Sequence, residues 1–257
     1  MIRIAVFAVL LSGLGAGAAL AQERSWDLRL GAGAIVGPAY EGSDRYKLSP
    51  FPFIQGSYRD RVFITGPILG ANLISTTLGG GKLQIGPLAR YDFGRDEDDD
   101  DALRGLGNID GGLDLGGFAR YAHGPWSLGL SAYQNVTRSE NGLTAEAEGA
   151  YSTQLVGKLR GTVSLAATWA DRDYMQTHFG ISGQQSRNSG YAPFTAGAGF
   201  KDASATLGLT YPLGQHWMLY GQLRYKRLLG DAADSPIVSQ AGSADQYRAS
   251  LFVIYRF

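Results

Sequence analysis

Side chains able to do chemistry concentrate in one stretch of this chain, GRDEDDDDALRG at residues 94–105, where positions 96–101 are all acidic. Carboxylates at this density attract hard cations such as Ca²⁺, which takes roughly six to eight oxygen ligands. A helix–loop–helix calcium loop requires Gly at its sixth position and Glu at its twelfth. Counted from Asp96, those positions hold Asp101 and Gly107, so that motif is absent. A looser Ca²⁺ site using Asp96, Asp98, Asp99, Asp100 and Asp101 is the one metal candidate. A solvated acidic loop accounts for the same residues without an ion and is the ruling expectation.

The chain holds three histidines and no cysteine. Without Cys there is no thiolate metal site, no disulfide frame and no thiol nucleophile. His123, His178 and His216 form no i, i+4 ligand pair. Asp171, Asp173 and Ser182 lie near His178 in sequence, but nothing orders them as nucleophile, base and orienting acid. His178 is expected on the surface. Arg224, Lys226 and Arg227 cluster at the end of one strand-like run, where they would meet lipid phosphates or water. Of the Gly-rich runs, GLGAG at 13–17 falls in a leader and GGLDLGG at 111–117 reads as a strand, so no phosphate-cradling loop is present. No catalytic residue and no cofactor are assigned.

The elements that position these residues follow from composition and period. Lys plus Arg and Asp plus Glu both total 23 in 257 residues, so no bulk charge draws nucleic acid. The 37 glycines are roughly twice the usual ~7% share. The opening MIRIAVFAVLLSGLGAGAALAQ has Arg3, an apolar run at 4–11, and small residues ending in Ala19-Leu20-Ala21. That is the pattern of a secretory signal peptide, residues 1–21, cleaved before Gln22. Residues 22–257 then form one domain. No later run of 18 apolar residues exists, so no transmembrane helix is expected.

From Trp26 onward the dominant period is two. Trp26, Leu28, Leu30, Ala32, Ala34 and Val36 share one face, and Asp27, Arg29, Gly31 and Gly33 the other. The pattern recurs at 82–93, 113–121, 126–132, 143–155, 159–169, 203–211, 217–225 and 246–257. These runs are longer than the ~5–6 residues of an ordinary strand and match the ~9–11 needed to cross a bilayer at a tilt. Aromatic residues sit at many run ends, among them Trp26, Tyr91, Trp126, Trp169, Trp217 and Phe257, as in the girdles of membrane barrels. Lipid tolerates no open sheet edge, so the sheet must close. The fold expected is an all-β, closed antiparallel transmembrane β-barrel of about twelve strands, ten to twelve being compatible with the pattern. The uncertain region is 37–81, where Pro38, Pro50, Pro52 and Pro67 blur the alternation. Counting back from Phe257 makes 94–108, 170–193 and 228–244 external loops, and 122–125, 156–158 and 212–216 short periplasmic turns.

Several segments resemble one family. They are GPAYEGSDRYKLSPFPFI (37–54), YDFGRDEDDDDALRGLGNID (91–110), TWADRDYMQTHFGIS (168–182), RLLGDAADSPIV (227–238) and the closing YRF. Together they resemble the MltA-interacting protein (MipA/OmpV) family of Gram-negative outer-membrane proteins. The resemblance implies a cell-outer-membrane barrel in contact with lipid and lipopolysaccharide. It implies a non-catalytic scaffold joining a lytic murein transglycosylase to a bifunctional penicillin-binding protein. It carries no catalytic residues with it.

The alternatives are a small-solute channel or porin-like protein, an outer-membrane adhesin and, last, a barrel enzyme. A lumen lined by Asp27, Arg29, Arg90, Asp92, Asp114, Arg120, Glu146 and Glu148 would suit a channel, or could be closed by Arg–carboxylate pairs. Protease added to intact cells is expected to cut within residues 94–105. Protection of that stretch would invert the topology of every strand after it.

Overall fold

The computed structural model describes residues 26–257; the expected signal peptide at 1–21 lies outside the described residues. Thirteen extended segments follow one another: β1 (Trp26–Pro38), β2 (Tyr46–Tyr58), β3 (Val62–Thr65), β4 (Ile68–Ala71), β5 (Ile74–Leu78), β6 (Gly81–Arg95), β7 (Ile109–His123), β8 (Trp126–Asn135), β9 (Leu143–Gln154), β10 (Arg160–Ala170), β11 (Gly199–Pro212), β12 (Trp217–Leu228) and β13 (Asp245–Arg256). Both β4 and β5 pair with β6, and only residues 72–73 separate them, so they are two halves of one strand. The segments therefore make twelve strands. Each pairs antiparallel with its chain neighbours, β1 pairs with β13, and the β4–β6 pairing closes the ring.

Burial alternates along the strands, but with the sign opposite to that of a protein folded in water. The outward face carries Leu30, Leu128, Leu130, Leu165, Leu223, Leu251 and Val253, all exposed. The inward face buries Arg29, Asp114, Lys201, Asp202, Gln222 and Lys226. Charged residues are almost never buried in water-soluble folds unless paired, and such a continuous apolar exterior is not left uncovered. Hydrocarbon outside resolves both observations. Aromatic residues pair at the short-turn end, tilted or edge to face: Trp26 with Tyr58 at 4.6 Å, Trp126 with Tyr151 at 4.7 Å and Trp217 with Tyr255 at 4.9 Å. At the other end Tyr225 meets Tyr247 at 5.3 Å and Tyr91 meets Phe93 at 5.0 Å.

Two apolar clusters fill part of the lumen. One joins Ile68, Leu88, Phe118 and Tyr133; the other joins Tyr220, Phe252 and Ile254, with Phe51 and Phe53 against it. Lumen-side glycine makes room for the second. A Cβ on Gly33 would sit 2.5 Å from the Phe252 ring, which lies over its cross-strand neighbour.

The connections are unequal. At one end they span only residues 59–61, 79–80, 124–125, 155–159 and 213–216. At the other they span 39–45, 96–108, 136–142, 171–198 and 229–244. The last two hold helices α1 (Arg172–Phe179), α2 (Gly183–Ser189), α3 (Gly230–Asp234) and α4 (Pro236–Ser239).

Residues 37–81 depart from the simple pattern for a physical reason. β2 runs through both Pro50 and Pro52 as a full 13-residue strand, whereas β3 has only four residues. The β3–β4 hairpin turns at Gly66-Pro67, part way up the wall, where Gly66 donates to Ile54 at 2.8 Å and Tyr91 donates to Pro67 at 3.2 Å. Above it, among the described residues, no strand pairs with the facing edges of β2 and β6. The wall has a side window.

Candidate functional site

The long-loop mouth is closed from inside by a buried charge quartet. Lys201 Nζ donates to Glu41 Oε1 at 2.6 Å and to Asp202 Oδ2 at 2.7 Å. Lys226 Nζ donates to Glu41 at 2.8 Å and lies 3.4 Å from Asp202. The register of β10 on β11 shifts between Thr168 and Trp169, which leaves Lys201 as an extra residue. Such a bulge lets consecutive side chains share one face, so Lys201 and Asp202 both turn inward. Two cations and two carboxylates balance. Burial pushes the Glu41 carboxyl up, but the two lysines outweigh it and hold it well below the usual carboxylate range. Glu41 belongs to the first loop, so the quartet ties that loop to β11 and β12 across the mouth.

Above the quartet the loops fold against each other as a cap. Tyr40, Leu103, Leu106, Met175, Phe179, Ile181, Ile237 and Val238 form its apolar core, and none exposes more than 5% of its surface. Hydrogen bonds lock loop to loop: Tyr40 to the Ile237 carbonyl (2.8 Å), Ser235 to the Phe179 carbonyl (2.6 Å) and Gln185 to the Leu106 carbonyl (2.7 Å).

The acidic run is the latch over the window. Arg45 at the end of the first loop binds Asp100 at 2.5 Å and Asp101 at 3.6 Å. Lys47 on β2 donates to the Asp99 carbonyl and lies 3.4 Å from its carboxylate. Asp96 accepts from the Asp98 N–H, Asp100 from the Ala102 N–H, and Asp101 pairs with Arg104 at 2.9 Å. The carboxylates of Asp96, Asp99, Asp100 and Asp101 therefore each have a protein partner. Among the described residues, no three carboxylates or histidines converge on a point that could hold a metal.

Beneath the latch lies a cavity lined by Tyr40, Glu41, Arg90, Asp92, Arg95 and His178, with Tyr91, Phe93 and Tyr174 around them. Arg95 donates to the His178 carbonyl at 3.0 Å, and the His178 ring stacks on Tyr174 at 4.1 Å. The Nε atoms of Arg95 and Nε2 of His178 are buried with no hydrogen-bond partner. Burial lowers the His178 ring to about 4; Asp92 and Glu41 pull it up, Arg95 and Lys201 push it further down.

Two sequence expectations are corrected. His178 is not a surface histidine: α1 carries it into the cap. Asp171 and Ser182 are spent as helix N-caps, accepting from Tyr174 at 2.9 Å and Gln185 at 3.3 Å, so no triad forms. Arg224 and Lys226 do not meet lipid phosphates. Both turn into the lumen, and Arg227 alone faces out, bound to Asp245 at 2.8 Å. The expected lumen set is partly internally paired. Arg90 binds Asp114 at 2.6 Å and lies 4.1 Å over the Tyr133 ring, and Arg29 meets Asp27 at 3.2 Å. Glu41, Lys201 and Lys226 were missed as a group. The acidic and basic members lie 160 and 185 positions apart, and the one local signal, Lys201-Asp202 breaking the period of β11, marks the bulge only in hindsight.

A closed sheet of bilayer-length strands, apolar outside and charge-paired inside, defines an integral outer-membrane β-barrel. The model of the family described as MltA-interacting protein MipA matches residues 30–257, and the chain belongs to that family. It is 27% identical over 230 residues to the "Putative outer membrane protein YiaT" of Escherichia coli K12, covering 86% of this chain and 88% of that one. Solved structures to which it is similar include an outer membrane channel of Pseudomonas putida F1 (TM-score 0.44, 13% identity, 95% of this chain and all of that one). Another is the OmpT outer membrane protein of Vibrio cholerae (TM-score 0.41, 6% identity, 90% and 98%).

Removing one member of a buried ion pair leaves an uncompensated charge, at a cost of about 3–5 kcal/mol. Glu41→Gln is therefore expected to lower the urea midpoint and loosen the cap, read as new protease cleavage in 171–198 and 229–244. The His178 shift has a defined sign. Unfolded, the ring takes a proton near its ordinary pKa; folded, it resists down to about 4. Stability is thus complete above about pH 6.5, declines as pH falls through that window, and levels off below about 4. His178→Gln should remove this part of the slope from urea midpoints measured across pH 7 to 4.

Proposed function

We propose that this barrel is a non-catalytic outer-membrane platform for a murein-remodelling enzyme. The observation that carries the reading is the match to the MltA-interacting family over residues 30–257, MltA being a lytic murein transglycosylase. The geometry supports it by what it leaves unused. The cap and quartet close the long-loop mouth, which suits poorly a protein whose task is conduction. The acid–base candidates near His178 serve as caps and packing.

Short turns of such barrels face the periplasm, so a murein enzyme would meet the rim at 59–61, 124–125, 155–159 and 213–216. That rim presents apolar residues beside cations. Val156 is 75% exposed and Leu155 and Leu213 are also bare; Lys158 shares the turn of the first two, and Arg59 and Arg61 sit in the turn after β2. Apolar anchors ringed by charge are the composition of a protein-binding rim. A penicillin-binding protein as second partner belongs to the same reading and would bind the same face.

Cross-linked envelopes are expected to yield a lytic transglycosylase on pull-down of the barrel, several-fold less with Val156→Asp/Leu213→Asp. Quantitative recovery of none from wild type would sink the platform reading. In planar bilayers the wild-type barrel is expected to be silent, and steady conductance would restore the channel alternative.

A further inference from the structure

The window is built to stay open. Ile54 accepts from the hairpin turn, so its backbone groups face the window side of β2, and at period two so do those of Pro52 and Pro50. At these two positions an unpaired N–H would point into the gap, and at both the chain places proline, which has none. The edge is thereby protected against accepting a strand. The carbonyls of Leu48, Pro50 and Pro52 remain on that edge, and unpaired carbonyls do not persist in dry hydrocarbon. The gap is therefore wet or occupied by a polar group, while its outer rim is apolar: Leu48 is 71% and Tyr91 51% exposed.

The cavity beneath the latch borders this gap. Its lining includes Arg90 and Asp92 from the inner face of β6 and Tyr91 and Phe93 from the outer face. The opposite edge of β6 is paired with β7 throughout. The Tyr91 N–H points to Pro67 on the other edge, and at period two the Phe93 backbone faces the same way, so the cavity borders the unpaired edge of β6 that faces the window.

Two charges that line the cavity, Asp92 and Arg95, have no ion pair. Glu41 is held by Lys201 and Lys226, Arg90 by Asp114, and Asp99 by Lys47. Asp92 accepts the Gly94 N–H at 2.9 Å. Arg95 meets only the neutral His178 carbonyl, and among the described residues no carboxylate lies within 4.0 Å of it. Its Nε and the neighbouring His178 Nε2 are both buried and without a hydrogen-bond partner. A half-buried guanidinium with no carboxylate in ion-pair reach, on which Asp99 acts only from farther away, beside an imidazole able to donate, is a site for an oxyanion.

We propose that the window and this cavity form a binding site for an amphiphile with an oxyanion head group, carboxylate or phosphate. The head lies against Arg95 and His178, and the chain leaves between β2 and β6 into the bilayer. The site lies in the long-loop half of the wall, so the ligand enters sideways from the leaflet on that side rather than down the capped lumen. Nothing in it depends on a murein partner.

The test is native mass spectrometry of the full barrel, refolded and delipidated in detergent. It is titrated separately with oleate, dioleoylphosphatidylglycerol, methyl oleate and inorganic phosphate. One adduct per barrel is expected with oleate or with the phospholipid, and which of the two binds tighter identifies the head group. Methyl oleate, which lacks the charge, should bind at least tenfold more weakly. Arg95→Gln should weaken the adduct at least tenfold, and Arg95→Lys should keep it within a few-fold. Equal binding of methyl oleate, an undiminished adduct in Arg95→Gln, or phosphate binding as well as the lipids would each overturn the proposal. Heat-modifiable gel migration reports folding of each variant. Should Arg95→Gln not fold, His178→Phe decides, with a several-fold loss expected and no loss counting against the site.

Discussion

Everything in this molecule depends on one constraint: a backbone in hydrocarbon has no water to bond, so its N–H and C=O groups must find each other. That requirement sets the strand lengths, the antiparallel neighbours and the closure of β4 onto β6. It also inverts the usual distribution of side chains, placing leucine and valine outside and lysine, aspartate and arginine within. The window is where the constraint is met differently. Along the free edge of β2 the chain removes donors rather than pairing them, by placing proline at 50 and 52. A feature that reads as noise in the alternation is a device for keeping an edge unpaired.

The interior obeys a second rule, that buried charge must be answered. The quartet of Glu41, Lys201, Asp202 and Lys226 and the Arg90–Asp114 pair are neutral assemblies. Such assemblies add little net stability over apolar packing but strongly penalise any arrangement that separates them. Their role here is to specify which loop sits over which strand. The cap then adds an apolar core above them. The acidic run works at the outer margin of the same arrangement, binding Arg45 and Lys47 across the gap between β6 and β2. Those contacts are more exposed than the quartet and correspondingly weaker, so the latch is the part of the mouth that salt screens first.

Much of the fold was legible from the alternation alone. The outward faces of β1, β6, β7, β9 and β10 agree residue by residue with the period-two pattern, because each side chain has only two directions available. The unequal loops were legible from the same pattern, whereas the even strand number followed from the rule that both ends of such a barrel lie on one side. Residues 37–81 were not, because Pro50 and Pro52 imitate a broken strand, while β3, at four residues, is too short to show a period. The site was largely hidden. Arg90 and Asp114 were visible as inward positions, but the joining of Glu41 to Lys201 requires the closed ring, and His178 looked polar and exposed until α1 carried it inward. The acidic run read chiefly as a solvated loop because its partners, Arg45 and Lys47, lie about fifty positions upstream.

The pairing of β1 with β13 bears on how the chain is assembled. Arg29 lies opposite Arg256, and Phe257 donates to the Leu28 carbonyl at 3.0 Å, so the first strand is completed only by the last. Until the final residues arrive, every partial sheet has two raw edges that lipid will not accept. Growth strand by strand within the bilayer is therefore uphill, and ring closure must be nearly simultaneous with insertion. Contacts this distant along the chain form slowly, so the exported polypeptide has to survive, unfolded and with its apolar faces bare, for the whole interval between synthesis and closure. Its scattered charges and zero net balance offer little mutual repulsion against aggregation in that interval. The same closure that leaves the finished sheet with no raw edge thus leaves the unfinished chain with nothing but raw edges.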